Sequence, residues 1–338
     1  MTVTTPHVDS VVDDVPIEPV IERHLGEHWW SMTLANEVRV GLEGRPRRLD
    51  PRWLYDHRGS ELFDRITRLP EYYPTEAERS LLQRDALAIV TRAGADTLVE
   101  LGSGTSDKTR TLLDALAAAG RLRRFVPVDV SEQTLHDAAV ELAERYPGLA
   151  VHGVVGDFNE HLDRVPDDGT PLMAFLGSTI GNFYPPERAR FLRSVAGWLR
   201  AGGTFLLGID LMKPVDRILA AYNDQQGVTA QFSLNLLEVM NRELAADFDV
   251  SAFEHVGLWD PVHRRVDIRV RALRDQHVRI PGAGIDVDFA RDEELRVEVS
   301  TKFTLEQIDA ELAGAGLATI ETYTSDGGDV ALVLAERA

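Results

Sequence analysis

Between residues 97 and 210, short apolar runs alternate with amphipathic stretches. Leu98, Val99 and Leu101 are stopped by Gly102 and Gly104, and a polar segment then opens a helix over 108–116. That order predicts a buried strand, a tight turn and a helix N-terminus. Residues 125–130 predict a second strand that runs into Asp129, followed by a helix opened by Ser131 and reaching 142. Residues 151–158, 172–183 and 204–210 predict three more strands, with a helix over 186–199 before the last. Strand and helix in alternation mean a parallel sheet covered on both faces.

On either side of this block the pattern differs. Ile21, Leu25, Trp29, Met32, Leu34, Val38 and Leu42 recur near helical spacing and predict one or two helices over 19–42. Residues 76–93 predict a helix capped by Thr75, with Ala77, Leu81, Leu82, Leu87 and Val90 available for burial. Past Asp210, residues 214–244 are largely helical. From Phe253 the period becomes two: Val266, Ile268 and Val270 alternate with charged residues, as do Ile285, Val287 and Phe289, then Leu295, Val297 and Val299. At Lys302 the first pattern returns, with a helix over 304–315 ended by Gly316 and a hairpin of 318–324 and 330–335 across Ser325-Asp326-Gly327-Gly328. The expected organisation is therefore a disordered leader over 1–18, an α/β unit of 76–212 and 303–338 with a Rossmann-like sheet and a terminal antiparallel hairpin, and a second α+β unit of 19–75 and 213–302.

Composition narrows the partners. With 338 residues, 44% hydrophobic and 27% charged, the chain can bury a large core. A net charge of −19 argues against sequence-independent binding to nucleic acid or to an anionic membrane, since both reward clustered Lys and Arg. The absence of Cys excludes a thiolate nucleophile and Cys-ligated metal, and no metal is expected. No apolar run reaches the roughly 18 residues that cross a bilayer, and no basic segment followed by an apolar one opens the chain. A cytoplasmic monomer acting on small molecules is expected.

Ligands of parallel sheets bind at the carboxyl ends of the strands, near the switch in strand order. Gly102, Asp129, Asp157, Gly177 and Asn182 all fall at such ends, which points to one shared site. Gly102 and Gly104 let backbone approach a ligand, although a plain tight turn has the same signature. Asp129 is placed to accept hydrogen bonds from ribose hydroxyls, or to cap a turn. Asp157 and Phe158 can pair with and stack on an adenine, or simply end a strand. A dinucleotide site needs a third small residue near Asp107, where an acid opposes phosphate charge. S-adenosylmethionine has no phosphate, and its zwitterionic amino acid end suits Glu100 and Lys108. The pattern favours it over a nicotinamide. The aromatic-rich stretch 51–75 reads equally as a pocket wall or a packed connector. Arg45-Pro46-Arg47-Arg48 reads as a solvated loop. Glu298 and Ser300, two apart on one strand, share a face that spacing alone assigns to solvent.

Longer motifs add a resemblance. Tyr55-Asp56, Gly59-Ser-Glu-Leu-Phe63, Leu69-Pro-Glu-Tyr72-Tyr-Pro-Thr75, Val99-Glu-Leu-Gly-Ser-Gly-Thr-Ser106 and Phe175-Leu-Gly-Ser-Thr-Ile-Gly-Asn182 are similar to tracts of the ergothioneine-pathway L-histidine Nα-methyltransferases. So are Asn241-Arg-Glu-Leu, Asp247-Phe-Asp, Glu298-Val-Ser300 and Lys302-Phe303. The resemblance runs from about Leu34 to the C-terminus. It implies a class I methyltransferase fold and trimethylation of the α-amine of L-histidine, with S-adenosylmethionine as methyl donor, to give hercynine. Carried over by motif, Gly102, Gly104, Lys108, Asp129, Asp157 and Phe158 hold the donor. Tyr72, Asn182 and Tyr222 hold the substrate carboxylate, and Glu298 with Ser300 reads the imidazole. Tyr55, the Gly177 carbonyl and the Phe63 ring sit near the reacting amine. No His or Lys in these motifs is an obvious base, so the identity of the proton acceptor stays open, with Tyr55 acting through water as the hypothesis. The resemblance thus reverses the solvent-face reading of Glu298. Ile268, where the family can have Met, leaves an aromatic amino acid or another amine open as substrate. A nicotinamide dehydrogenase and a cofactor-binding protein without turnover are the readings from other classes.

Overall fold

The structure, a computed structural model, describes residues 18–104 and 108–338. Its strands are β1 (Val20–Arg23), β2 (Thr97–Leu101), β3 (Arg124–Asp129), β4 (Ala150–Val155), β5 (Pro171–Phe175), β6 (Thr204–Asp210), β7 (Phe253–Asp260), β8 (Arg265–Ala272), β9 (Gln276–Ile280), β10 (Ile285–Phe289), β11 (Glu294–Thr301), β12 (Leu317–Thr324) and β13 (Val330–Arg337). The helices are α1 (Trp29–Glu43), α2 (His57–Ile66), α3 (Tyr73–Ala93), α4 (Thr109–Ala118), α5 (Glu132–Arg145), α6 (Pro185–Trp198), α7 (Val215–Tyr222), α8 (Val228–Leu244) and α9 (Leu305–Gly314).

Eight strands form one sheet in the order β1-β4-β3-β2-β5-β6-β13-β12. β1 to β6 pair in parallel, and β13 and β12 close the far edge antiparallel. From β2 the chain moves outward through β3 and β4, then returns to β5 on the other side. The order therefore reverses between β2 and β5, where a crevice opens at the carboxyl ends. Every residue of β2, β5 and β6 is buried, as continuous apolar runs require when helices cover both faces. Leu98, Phe125, Leu172 and Leu206 pack against Leu82, Leu113 and Leu142 of α3, α4 and α5. Their neighbours Val99, Val126, Met173 and Leu207 pack against Leu192 of α6 and Leu312 of α9.

A separate core gathers Leu34 and Val38 from α1, Leu62 from α2, Ile218 from α7, Leu236 from α8, Ile268 from β8 and Val297 from β11. Its antiparallel sheet has the order β11-β8-β7, beside the hairpin β10-β9. The chain leaves the large sheet after β6 and returns after β11 at adjacent positions. The Phe303 N–H donates to the Asp210 carbonyl at 2.9 Å, and the Met212 N–H to the Phe303 carbonyl at 2.9 Å.

Three local expectations are corrected, and the helical reading of 214–244 is resolved in detail. The helical spacing of 19–42 divides: Val20–Arg23 is an edge strand paired with β4, with Ile21 fitting over Gly153, where a Cβ would lie 2.6 Å from Ile21 Cδ1. The helix assigned to 76–93 begins at Tyr73, so Thr75 is a buried first-turn residue rather than the cap, and Leu87 is 56% exposed. Residues 214–244 form two helices, divided by Gly227 at φ 67°. Arg47 is buried, with its guanidinium 4.2 Å over the Phe289 ring and 3.3 Å from Glu293, because residues 47–49 run along β11 instead of into solvent. The leader expected over 1–18 lies, except for Glu18, outside the described residues, as does Asp107. Among the described residues no helix is long and apolar enough to cross a membrane.

Candidate active site

The turn after β2 is held by Asp129 at the end of β3. Gly102 and Gly104 take φ of 67° and 48°, which a side chain would strain. The Gly104 N–H donates to Asp129 Oδ2 at 3.0 Å, and the Ser131 N–H to Oδ1 at 3.0 Å. Burial pushes the Asp129 carboxyl up, against these backbone donors. A carboxylate with two such bonds retains acceptor capacity. Beside it Ser103 Oγ is buried with no hydrogen-bond partner among the described residues, which a polar ligand would supply. A Cβ on Gly102 would lie 3.7 Å from the Phe158 ring, so the glycine keeps that edge open. Phe158 itself leans on Phe175 and Phe191, with centroids 5.3 and 5.9 Å away. These features suit a nucleoside with an aromatic base.

Lys108, at the N-terminus of α4, is paired with Glu78 of α3. Glu78 also accepts the Gly177 N–H at 2.8 and 3.0 Å. One buried carboxylate thus ties the ends of β2 and β5 together across the crevice. Gly208 makes room for it, since a Cβ there would stand 2.3 Å from Glu78 Oε1. Asp157 is 3% exposed and pairs with Arg52, from the turn Pro51–Leu54, which also lies 3.1 Å from Asp50. The sequence reading missed Glu78 and Arg52. Glu78 had a signal: it lies on the stripe that buries Pro74, Leu81 and Leu82.

Opposite this half, an aromatic wall assembles from five places along the chain. Tyr55, ending the turn Pro51–Leu54, meets Phe63 of α2 at 5.3 Å and Phe232 of α8 at 5.2 Å. Phe63 reaches Tyr72 at 6.2 Å, and Tyr72 reaches Tyr222 at 6.2 Å. Burial holds the phenols of Tyr55, Tyr72 and Tyr222 well above their ordinary range, and Glu298 adds to this in all three.

Glu298 and Ser300 project from β11. The Asn182 side chain, at the end of the turn Thr179–Asn182 after β5, donates to Glu298 Oε1 at 3.2 Å. That reach depends on Gly181, where a Cβ would lie 2.9 Å from the Thr301 carbonyl oxygen. Burial pushes the Glu298 carboxyl up to about 7, with Lys302 and the Asn182 amide opposing. Tyr222 Oη lies 2.7 Å from Ser300 Oγ. Beneath them, Asp210 accepts from the Tyr73 hydroxyl at 2.9 Å and pairs with Lys302 at 2.7 Å and with Lys213. Sequence reasoning missed this buried acid and its cations: Tyr73 and Lys302 are far from Asp210 along the chain, and Lys213, three positions on, carries no pattern of its own. The residues singled out from the sequence fall into two groups: Gly102, Gly104, Lys108, Asp129, Asp157, Phe158 and Gly177 at the strand ends, and Tyr55, Phe63, Tyr72, Asn182, Tyr222, Glu298 and Ser300 along the aromatic wall, the turn after β5 and β11.

Residues 34–337 match the family described as histidine-specific, SAM-dependent methyltransferases. The chain belongs to this family. It is 51% identical over 304 residues to the histidine N-alpha-methyltransferase of Mycolicibacterium smegmatis, covering 90% of this chain and 95% of that one. Identity to the enzyme of the same name from Mycobacterium tuberculosis is 49% over 317 residues, covering 94% and 99%. A match of 35% over 202 residues to ergothioneine biosynthesis protein 1 of Neurospora crassa covers 58% of this chain and 23% of that one. The parallel sheet with its antiparallel edge is the class I methyltransferase sheet.

Proposed function

We propose that the chain methylates the α-amine of L-histidine three times with S-adenosylmethionine, giving hercynine for ergothioneine synthesis. The observation that carries this reading is the approach of Glu298 to Asn182 and of Ser300 to Tyr222, which sets a side-chain reader beside carboxylate-binding groups. Gly102, Gly104, Lys108, Asp129, Asp157 and Phe158 hold the donor, whose sulfonium supplies an electrophilic methyl group. Tyr72, Asn182 and Tyr222 hold the histidine carboxylate. Glu298 accepts an imidazole N–H, so side chains without a donor there are rejected. Residues 19–75 and 213–302 form the substrate-binding unit.

The chemistry needs a neutral amine aligned with the methyl group, and alignment supplies most of the acceleration. The Gly177 carbonyl accepts an amine N–H and directs its lone pair, while the face of Phe63 receives the growing cation. Tyr55 takes the released proton through water. Its phenol stays protonated, raised by desolvation and by Glu298 although the residue is 39% exposed, so it acts as a relay that accepts one proton as it passes on another. In this reading the protein is a cytoplasmic monomer with neither nucleic acid nor membrane as partner. Ile268, opposite Glu298 in the β8–β11 register, bounds the side-chain pocket and makes aromatic amino acids the next substrates to try.

The test is incubation with labelled S-adenosylmethionine and each amino acid in turn, read by mass. Addition of three methyl groups to histidine is expected. Transfer to another amino acid in preference, or to none, overturns the reading.

A further inference from the structure

We propose that Lys302 is a positioning residue that leaves the Tyr222–Ser300 pair a single hydrogen for the substrate, so that the pair takes one acceptor and one N–H donor from it. The proposal rests on the function proposed above and deepens its account of specificity.

Lys302 follows β11 and has 0% exposure. Its ammonium has three hydrogens and no lone pair. They are directed to Tyr222 Oη at 2.8 Å, Ser300 Oγ at 2.8 Å and Asp210 Oδ2 at 2.7 Å. Both hydroxyl oxygens are therefore acceptors on their buried side. Asp210, the acceptor that would otherwise compete for a hydroxyl hydrogen, is occupied by Lys302, Lys213 and Tyr73. The two oxygens are 2.7 Å apart, so one hydroxyl hydrogen lies between them. Two hydrogens minus that one leave one, with the crevice as its remaining outlet.

The count constrains the ligand. When Tyr222 donates to the substrate carboxylate, Ser300 must donate to Tyr222, and it then presents only a lone pair. The side chain over Ser300 must bring an N–H. Glu298, when ionised, is likewise an acceptor. A ring with an N–H at each nitrogen satisfies both, whereas a ring that offers only acceptors leaves Ser300 and Glu298 facing lone pairs.

The experiment compares L-histidine with β-(4-thiazolyl)-L-alanine, whose ring has no N–H, by calorimetry and by KM and kcat. Wild type is expected to prefer histidine by more than about a hundredfold, roughly tenfold for each mismatched bond. Lys302→Met should raise the histidine KM at least tenfold and leave the S-adenosylmethionine Kd within about twofold. Ser300→Ala should then cost little more in that background, because the hydroxyl is no longer held. Full additivity of the two changes overturns the proposal.

Should Lys302→Met fail to fold, Tyr222→Phe reads the same count. It frees the Ser300 hydrogen for the ligand, so the preference for histidine over the thiazole should fall at least tenfold even though carboxylate binding weakens for both. An unchanged preference in an enzyme that uses histidine overturns the proposal alone. A wild-type chain that uses neither amino acid overturns the function reading and the proposal with it.

Discussion

Glu298 combines a burial cost with the recognition task proposed for it. Its carboxyl is raised from 4.5 to about 7, so the folded chain holds this proton more tightly than the unfolded one. The stability this contributes is complete below pH 4.5 and is lost as pH rises through about 7. Glu298→Gln, which mimics the protonated form, should match wild type near pH 4 and exceed it at pH 8 by at most about 3 kcal/mol, given about 1.4 kcal/mol per pKa unit. Urea unfolding at the two pH values measures this; an equal difference at both would contradict it. Glu298→Ala should weaken histidine binding by about a hundredfold with S-adenosylmethionine binding nearly unchanged. Equal losses in calorimetry would remove Glu298 from the side-chain pocket. For Tyr55, the phenylalanine variant should lower kcat by about a hundredfold and alter the pH–rate profile, and an unaltered profile would take Tyr55 off the proton path.

At the scale of elements, the crevice depends on close approach of backbones. Gly181→Ala would place a Cβ 2.9 Å from the Thr301 carbonyl and push the turn after β5 away from β11. A loss of about 1–3 kcal/mol in stability and a larger loss of histidine than of S-adenosylmethionine binding are expected, measured by denaturation and calorimetry. Elements were legible in the sequence where burial is two-sided and local: β2 to β6 stand out as apolar runs, and β8 and β11 by alternation. β1 was not, because four residues at an edge, only partly buried, carry too little pattern to compete with the helical spacing around them. The strand-end acids and glycines could be read together as a candidate site because parallel topology brings carboxyl ends to one edge. Glu78 was not read as part of it, since its partners Lys108 and Gly177 lie 30 and 99 positions away. The roles proposed for Glu298, Ser300 and Tyr72 rest on motif resemblance, since a period of two cannot distinguish a solvent face from a pocket face.

Across the whole molecule, charged contacts run between the two cores. Arg52, from the turn whose Trp53 and Leu54 belong to the second core, pairs with Asp157 at the end of the large sheet. Arg52→Met would leave a carboxylate of 3% exposure without its cation, at a cost on the order of 3 kcal/mol. Adding Asp157→Asn should recover part of that loss in the same denaturation measurement; no recovery would show that the pair is not what joins the halves. The return of the chain beside its point of departure, with Phe303 paired to Asp210 and Leu211, bears on ancestry. A segment whose two ends are clasped side by side can lengthen, shorten or be replaced over generations while the strands of the large sheet keep their alignment. New substrates are then reached by editing what lies between the clasped ends, and one inherited donor pocket can serve a lineage of enzymes with different tastes.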